Sequence, residues 1–147
     1  MKLIKKIKPL RRKTNSLLSW ALALLVLSLV ACESDDPSEN PVAIRDKYLG
    51  QWNVTENTGI NHPQFYQVNI VAGDADDEIV IEGLYNEVNS KVVALVTGTQ
   101  ISIPNQNSAG VTYVGSGTAN ADYSQIALSF TANDGSGPDQ IEAVLVP

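Results

Sequence analysis

From residue 42 to residue 147, apolar and polar residues alternate in eight short runs, the period of a half-buried β-strand. The runs are Gln51 to Glu56, Gln64 to Ala72, Glu78 to Leu84, Lys91 to Val96, Gln100 to Pro104, Val111 to Ala119, Ser124 to Ala132 and Gln140 to Val146. A short helical turn is expected ahead of them, over Ala43 to Tyr48. Between the runs, Gly73-Asp74-Ala75-Asp76-Asp77, Thr97-Gly98-Thr99, Asn120-Ala121-Asp122 and Asn133-Asp134-Gly135-Ser136-Gly137 are short and rich in turn formers, so sequence neighbours should pair as hairpins. Eight hairpin-linked strands hide both edges only by closing on themselves. The pattern therefore predicts an all-β, eight-stranded antiparallel up-and-down barrel. The alternative is an immunoglobulin-like β-sandwich, whose crossovers need longer connections.

Residues two apart on a strand share a face. Alternation then points Trp52, Val54, Tyr66, Val68, Ile70, Ile79, Ile81, Ile101, Ile103, Ile126, Leu128, Phe130, Ile141 and Leu145 inward. A barrel of this size is either filled by its own side chains or holds one small ligand, and alternation alone describes both. Up-and-down connectivity puts Asn57 to Pro63, Tyr85 to Ser90, Asn105 to Gly110 and Asn133 to Pro138 at one end, the mouth, with Trp52 and the N-terminal segment at the base. Glu56 has inward parity at the mouth, with Tyr66 and Tyr113 near it by the same count. This trio is the candidate site where a small apolar or amphipathic ligand, or a protein partner, would arrive. Val80, Leu84, Val144 and Val146 are apolar at outward parity, a weak sign of a docking wall.

Ahead of the barrel, residues 1–31 have the parts of a secretory signal: a basic start, an apolar run from Leu17 to Val30 and a small residue, Ala31. A run of fourteen residues is short of the roughly 20 that cross a bilayer as a helix. Leu29-Val30-Ala31-Cys32 resembles the lipobox at which bacterial lipoproteins are lipidated on cysteine and cleaved. That resemblance implies a membrane anchor on Cys32, the chain's single cysteine. Residues 32–41 then form a polar, acidic tether with almost nothing to bury. Within it, Ser34-Asp35-Asp36 resembles the acidic export signal of bacteroidete-type lipoproteins, which implies the outer face of the outer membrane; the alternative, a plain solvated linker, leaves the protein on the periplasmic face.

Cleavage before Cys32 removes seven of the ten basic residues and leaves all sixteen acidic ones, so the mature chain has a net charge of −13. So few cations cannot replace the counterions of a phosphate backbone, which excludes nucleic acid as a partner. Repulsion from anionic head groups likewise leaves attachment to the lipid. No cofactor is expected. Asp74, Asp76, Asp77 and Glu78 are the densest carboxylates, but they lack the spacing and internal Gly of a calcium loop and read as an acidic hairpin turn. His62 is the only histidine, so no His-based zinc site can be assembled. No serine pairs with it in a recognisable triad, and Glu82 and Glu142 face outward by parity, which argues against a buried acid pair. The chain is not expected to be an enzyme.

Gly50-Gln51-Trp52, following a helical turn, resembles the Gly-x-Trp signature that opens the first strand of lipocalins and related calycins. With Gly115-Ser116-Gly117-Thr118 further on, residues 42–147 are similar to small lipocalin-like lipoproteins of bacteroidete-type bacteria. The resemblance implies a barrel whose base is closed by Trp52 and whose mouth binds a ligand.

Overall fold

A computed structural model describes residues 41–147. Their order is a helix α1 (Pro41–Asp46), then strands β1 (Gly50–Glu56), β2 (Gln64–Ala72) and β3 (Glu78–Glu82), a 3-10 turn (Leu84–Asn86), and strands β4 (Lys91–Thr97), β5 (Gln100–Ser108), β6 (Val111–Ala119), β7 (Ile126–Asn133) and β8 (Pro138–Val146). Each strand pairs antiparallel with its neighbours in sequence, and β1 pairs with β8 from Asn53 opposite Val146 to Glu56 opposite Ala143. The sheet is thus a closed up-and-down barrel, as the hairpin spacing predicts. The lipobox residues Leu29, Val30 and Ala31, the lipidation position Cys32 and the export triplet Ser34, Asp35 and Asp36 lie outside the described residues.

Alternation sets the core. Thirteen of the fourteen residues expected to point inward are buried, and Tyr66 is partly so. Val92, Ala94 and Val96 of β4, Tyr113 and Ala119 of β6, and Ala132 and Ala143 complete the filling. At the base, α1 begins at Pro41, two residues before the expected turn; proline's fixed φ suits a helix's first turn. After it, the Tyr48 amide donates to Arg45 at 3.0 Å. Tyr48 is buried, its hydroxyl donates to the Gly98 carbonyl at 2.8 Å, and its own carbonyl accepts from Trp52 Nε1 at 2.8 Å. Tyr123 meets the Tyr48 ring edge-on at 5.2 Å between centroids. Trp52 and Tyr48 therefore close the base, tying the N-terminal turn to the β4–β5 hairpin.

Two departures from strict alternation matter at the mouth. Leu84, read from parity as outward, is fully buried. The reason is local: β3 ends at Glu82, Gly83 adopts a left-handed φ of 88°, and the chain turns inward into the 3-10 segment. Parity loses its meaning once the strand has ended. β5, read as ending at Pro104, continues to Ser108, so Asn105 to Gly110 is mostly strand with a tight turn at Ala109 and Gly110. Pro104 cannot donate to a ladder and falls where the β5–β6 register shifts, between Ile103 and Gln106.

Beyond that bulge, β5 no longer pairs with β4 through its backbone, since the β4–β5 register covers only Leu95 to Thr97. Side chains take over. Gln106 Oε1 accepts from the Val93 amide at 2.8 Å while its Nε2 donates to the Val93 carbonyl at 2.6 Å, and Ser108 Oγ accepts from the Lys91 amide at 2.7 Å. The Gln106 amide thus stands in for a missing strand residue. Gln106→Ala leaves a half-buried N–H and C=O without these partners, and is expected to cost about 1–3 kcal/mol, read as a lower urea midpoint with the barrel's circular dichroism retained.

Candidate functional site

The mouth is built from the inward positions at the ends of β1, β2 and β8 together with the 3-10 turn. Glu56, last residue of β1, is 1% exposed, and its Oε1 accepts from the Tyr66 hydroxyl of β2 at 2.7 Å. The Tyr66 oxygen in turn accepts from the Tyr85 amide at 3.0 Å, which fixes the 3-10 turn over the barrel end. The Tyr85 hydroxyl reaches across to Asp139 Oδ2 at 3.0 Å. Both Asp139 oxygens accept from the Ile60 amide, at 3.0 and 3.1 Å, pinning the β1–β2 loop. Thr58 reinforces the strap, its hydroxyl accepting from the Glu142 amide at 2.8 Å and donating to the Gln140 carbonyl at 3.2 Å.

Of the expected trio, Glu56 and Tyr66 are in direct contact. Tyr113 is fully buried, with its hydroxyl 3.4 Å from the Leu84 carbonyl of the mouth turn, and it acts on Tyr66 electrostatically without bonding to it. Asp139 is the residue that parity on Glu82 and Glu142 missed. Those two do face outward, Glu82 bonding Lys91 at 3.1 Å and Asn69 at 3.2 Å. Yet Asp139 is 5% exposed and acts on Glu56 electrostatically, so the mouth holds two buried carboxylates. Asp139 shares inward parity with Ile141, but β8 begins at Pro138, two residues before the apolar alternation that starts at Gln140.

Burial raises the Glu56 pKa above its ordinary 4.5, and the Asp139 charge pushes the same way, while the Tyr66 hydrogen bond opposes both. Burial and the Glu56 carboxylate hold the Tyr66 phenol well above its usual range. The Tyr85 hydroxyl is pushed up to about 12 by burial and by Asp139. A carboxyl with a raised folded pKa favours folding most below its unfolded pKa, and that contribution is lost as pH rises through the folded value. Glu56→Gln, which keeps an acceptor for Tyr66, should therefore raise the melting temperature near pH 7 by about 2–5 °C. The gain over the parent should vanish as pH falls toward 4.5; a difference in melting temperature independent of pH would contradict this origin.

The remaining candidates take structural places. Asp74, Asp76, Asp77 and Glu78 form the β2–β3 hairpin, where the Glu78 carbonyl accepts from the Gly73 amide at 2.9 Å. His62 is exposed, its Nδ1 2.7 Å from the Gly59 carbonyl. Three shallow hollows, of about 270, 620 and 240 Å³, lie on the outside of the wall. Ile60, Phe65 and Val88, 74%, 71% and 86% exposed, project at the mouth end.

No family model matches the chain, and no curated protein matches it. Among solved structures it is similar to a redesigned β-barrel, at 14% identity and a TM-score of 0.50, over 71% of this chain and 94% of that one. The class is thereby defined: a closed, eight-stranded, all-antiparallel up-and-down β-barrel.

Proposed function

We propose that the protein is a lipocalin-like lipoprotein, anchored in the outer membrane through lipid on Cys32 and displayed at the cell surface, whose barrel mouth meets a protein partner. The observation that carries the choice of a protein is the state of the mouth. Inward positions are filled by side chains, and Glu56, Tyr66, Tyr85 and Asp139 bond to one another and to the strap, so what faces outward is the rim with Ile60, Phe65 and Val88. Scattered exposed apolar residues are ordinary; three at one end of a small barrel favour contact there. Lipid attachment rests on the lipobox and tether sequence, and nucleic acid remains disfavoured by charge.

The second reading is a small apolar or amphipathic ligand held at the mouth. It is favoured by Gln64 Oε1, a buried acceptor without a partner among the described residues, on the strand position opposite Glu56.

One experiment separates the two. A photo-crosslinking residue is placed at the mouth (Asn89, Ser136) or at the base (Ala121) of the full chain in the membrane of its source. Protein adducts from the mouth alone support a protein partner. Adducts from the base alone, or a small molecule that co-purifies and is released on denaturation, would overturn it. Loss of fatty-acid labelling in Cys32→Ser tests the anchor.

A further inference from the structure

We infer that the edge of β2 at Phe65 and Gln67 is a strand-addition site for an extended, cationic segment of a partner protein. The barrel is closed, but β2 is longer than β3. Pairing between them covers only Asn69 to Ala72 against Glu82 to Ile79, whereas β2 begins at Gln64. Beyond the register, the Gly73 amide bonds to the Glu78 carbonyl, which fixes the alternation. Odd-numbered residues of β2 direct their N–H and C=O toward the β3 side and even-numbered ones toward β1. Phe65 and Gln67 therefore aim four backbone groups at a place that β3 has left.

The chain that leaves makes no hydrogen bond to them, although Gly83 still stands against the Gln67 carbonyl. After Gly83 it turns over the mouth, where Leu84 is buried and Tyr85 is held by Tyr66 and Asp139. A Cβ built on Gly83 would stand 3.4 Å from the Gln67 carbonyl oxygen, which confirms the direction of that carbonyl. No described backbone group hydrogen-bonds to Phe65 or Gln67 on this side. Beside Gln67 the hollow of about 240 Å³ opens over the outer face of the wall, lined by Gln51, Gln67, Asn69, Glu82, Gly83 and Val88 among others. An unpaired edge in such a hollow is the geometry of strand addition, in which main-chain bonds supply affinity and flanking side chains supply selectivity.

The flanks state the partner's chemistry. Phe65 is exposed two residues before Gln67 on β2, and the exposed Val88 lines the hollow. Glu82 lines the hollow, while Lys91, the cation beside it, is already paired with Glu82. Residues 41–147 carry twelve carboxylates against three cations. An added strand that is basic and apolar is attracted, and an acidic one repelled.

This inference rests on the reading that the mouth end meets a protein, and its test is separable from that reading. The probe is a ten-residue peptide alternating valine and lysine, added to the full chain in detergent micelles, with amide hydrogen exchange followed by NMR. Exchange at Phe65 and Gln67 should slow at least tenfold. A valine–glutamate peptide, or the lysine peptide N-methylated at alternate residues, should give no such slowing. Gln67→Pro removes one edge donor without touching the β1 ladder and should weaken binding at least tenfold; if it misfolds, the methylated peptide makes the same comparison on the parent chain. Unchanged exchange at both residues overturns the site even where the peptide binds elsewhere, and equal protection by the acidic peptide overturns the cationic partner. Mouth crosslinks without protection at these amides would sink the edge and leave the protein-partner reading standing. Protection without mouth crosslinks would do the reverse.

Discussion

Gly115→Val is expected to leave the barrel unable to close, with the folded population lost in circular dichroism at room temperature. Gly115 sits at an inward position of β6, where a Cβ would stand 2.5 Å from the Ser129 carbonyl oxygen, 2.6 Å from Phe130 Cβ and 2.7 Å from Phe130 Cα. Two of those atoms belong to the neighbouring backbone, so no rotamer change relieves the clash. Gly117 repeats the arrangement two residues on, its Cβ meeting the Ala127 carbonyl oxygen and Leu128 Cδ1 at 2.8 Å. The two glycines let β6 bend tightly over β7, the sharp local curvature that a small closed sheet needs. Even Gly115→Ala should cost at least about 3 kcal/mol, at the upper end of overpacking, because the strand itself must move. Ser116→Ala, between them and facing outward, should change stability by less than about 0.5 kcal/mol. A Gly115→Ala protein with an unaltered urea midpoint would refute this account of the bend.

How much of this was legible beforehand depends on whether a residue obeys alternation. β2, β6 and the inward set on β7 could be read because one face of each strand is buried and the other wet. The tail of β5 could not, since Asn105 to Ser108 show no apolar alternation: Gln106 and Ser108 spend their polar side chains on the β4 backbone. Leu84 escapes the alternation because the left-handed Gly83 ends the parity of β3 before it. Glu56 and Tyr66 were found by parity alone. Asp139 obeys the same parity, but an acid beside a proline reads as loop, and its burial is compensated by partners 54 and 79 residues away in the chain. The edge at Phe65 and Gln67 depends on the difference in length between two strands, which apolar patterning hides by counting Leu84 into β3.

Trp52→Ala should be the most damaging of the large-to-small core substitutions, lowering stability by about 3–5 kcal/mol. The indole is 3% exposed, packs in the core at the base, and donates its N–H to the Tyr48 carbonyl. Its removal both empties volume and frees the turn that carries Tyr48, whose hydroxyl bond to Gly98 fastens the base to the β4–β5 hairpin. Trp52→Phe separates the two effects, because it keeps a ring in the core and loses only the hydrogen bond and part of the volume. It should cost about 1–2 kcal/mol, consistent with leaving one buried carbonyl less well satisfied. The chain's other tryptophan, Trp20, lies in the segment that the proposed cleavage before Cys32 removes, so in the product of that cleavage both substitutions abolish tryptophan fluorescence and unfolding is followed by circular dichroism. If the base acts as a unit, Tyr48→Phe combined with Trp52→Ala should cost less than the sum of the two single changes, since the first removes a fastening that the second has already loosened. Strict additivity would mean that Trp52 acts through its own packing alone, with the N-terminal turn held to the barrel independently of it.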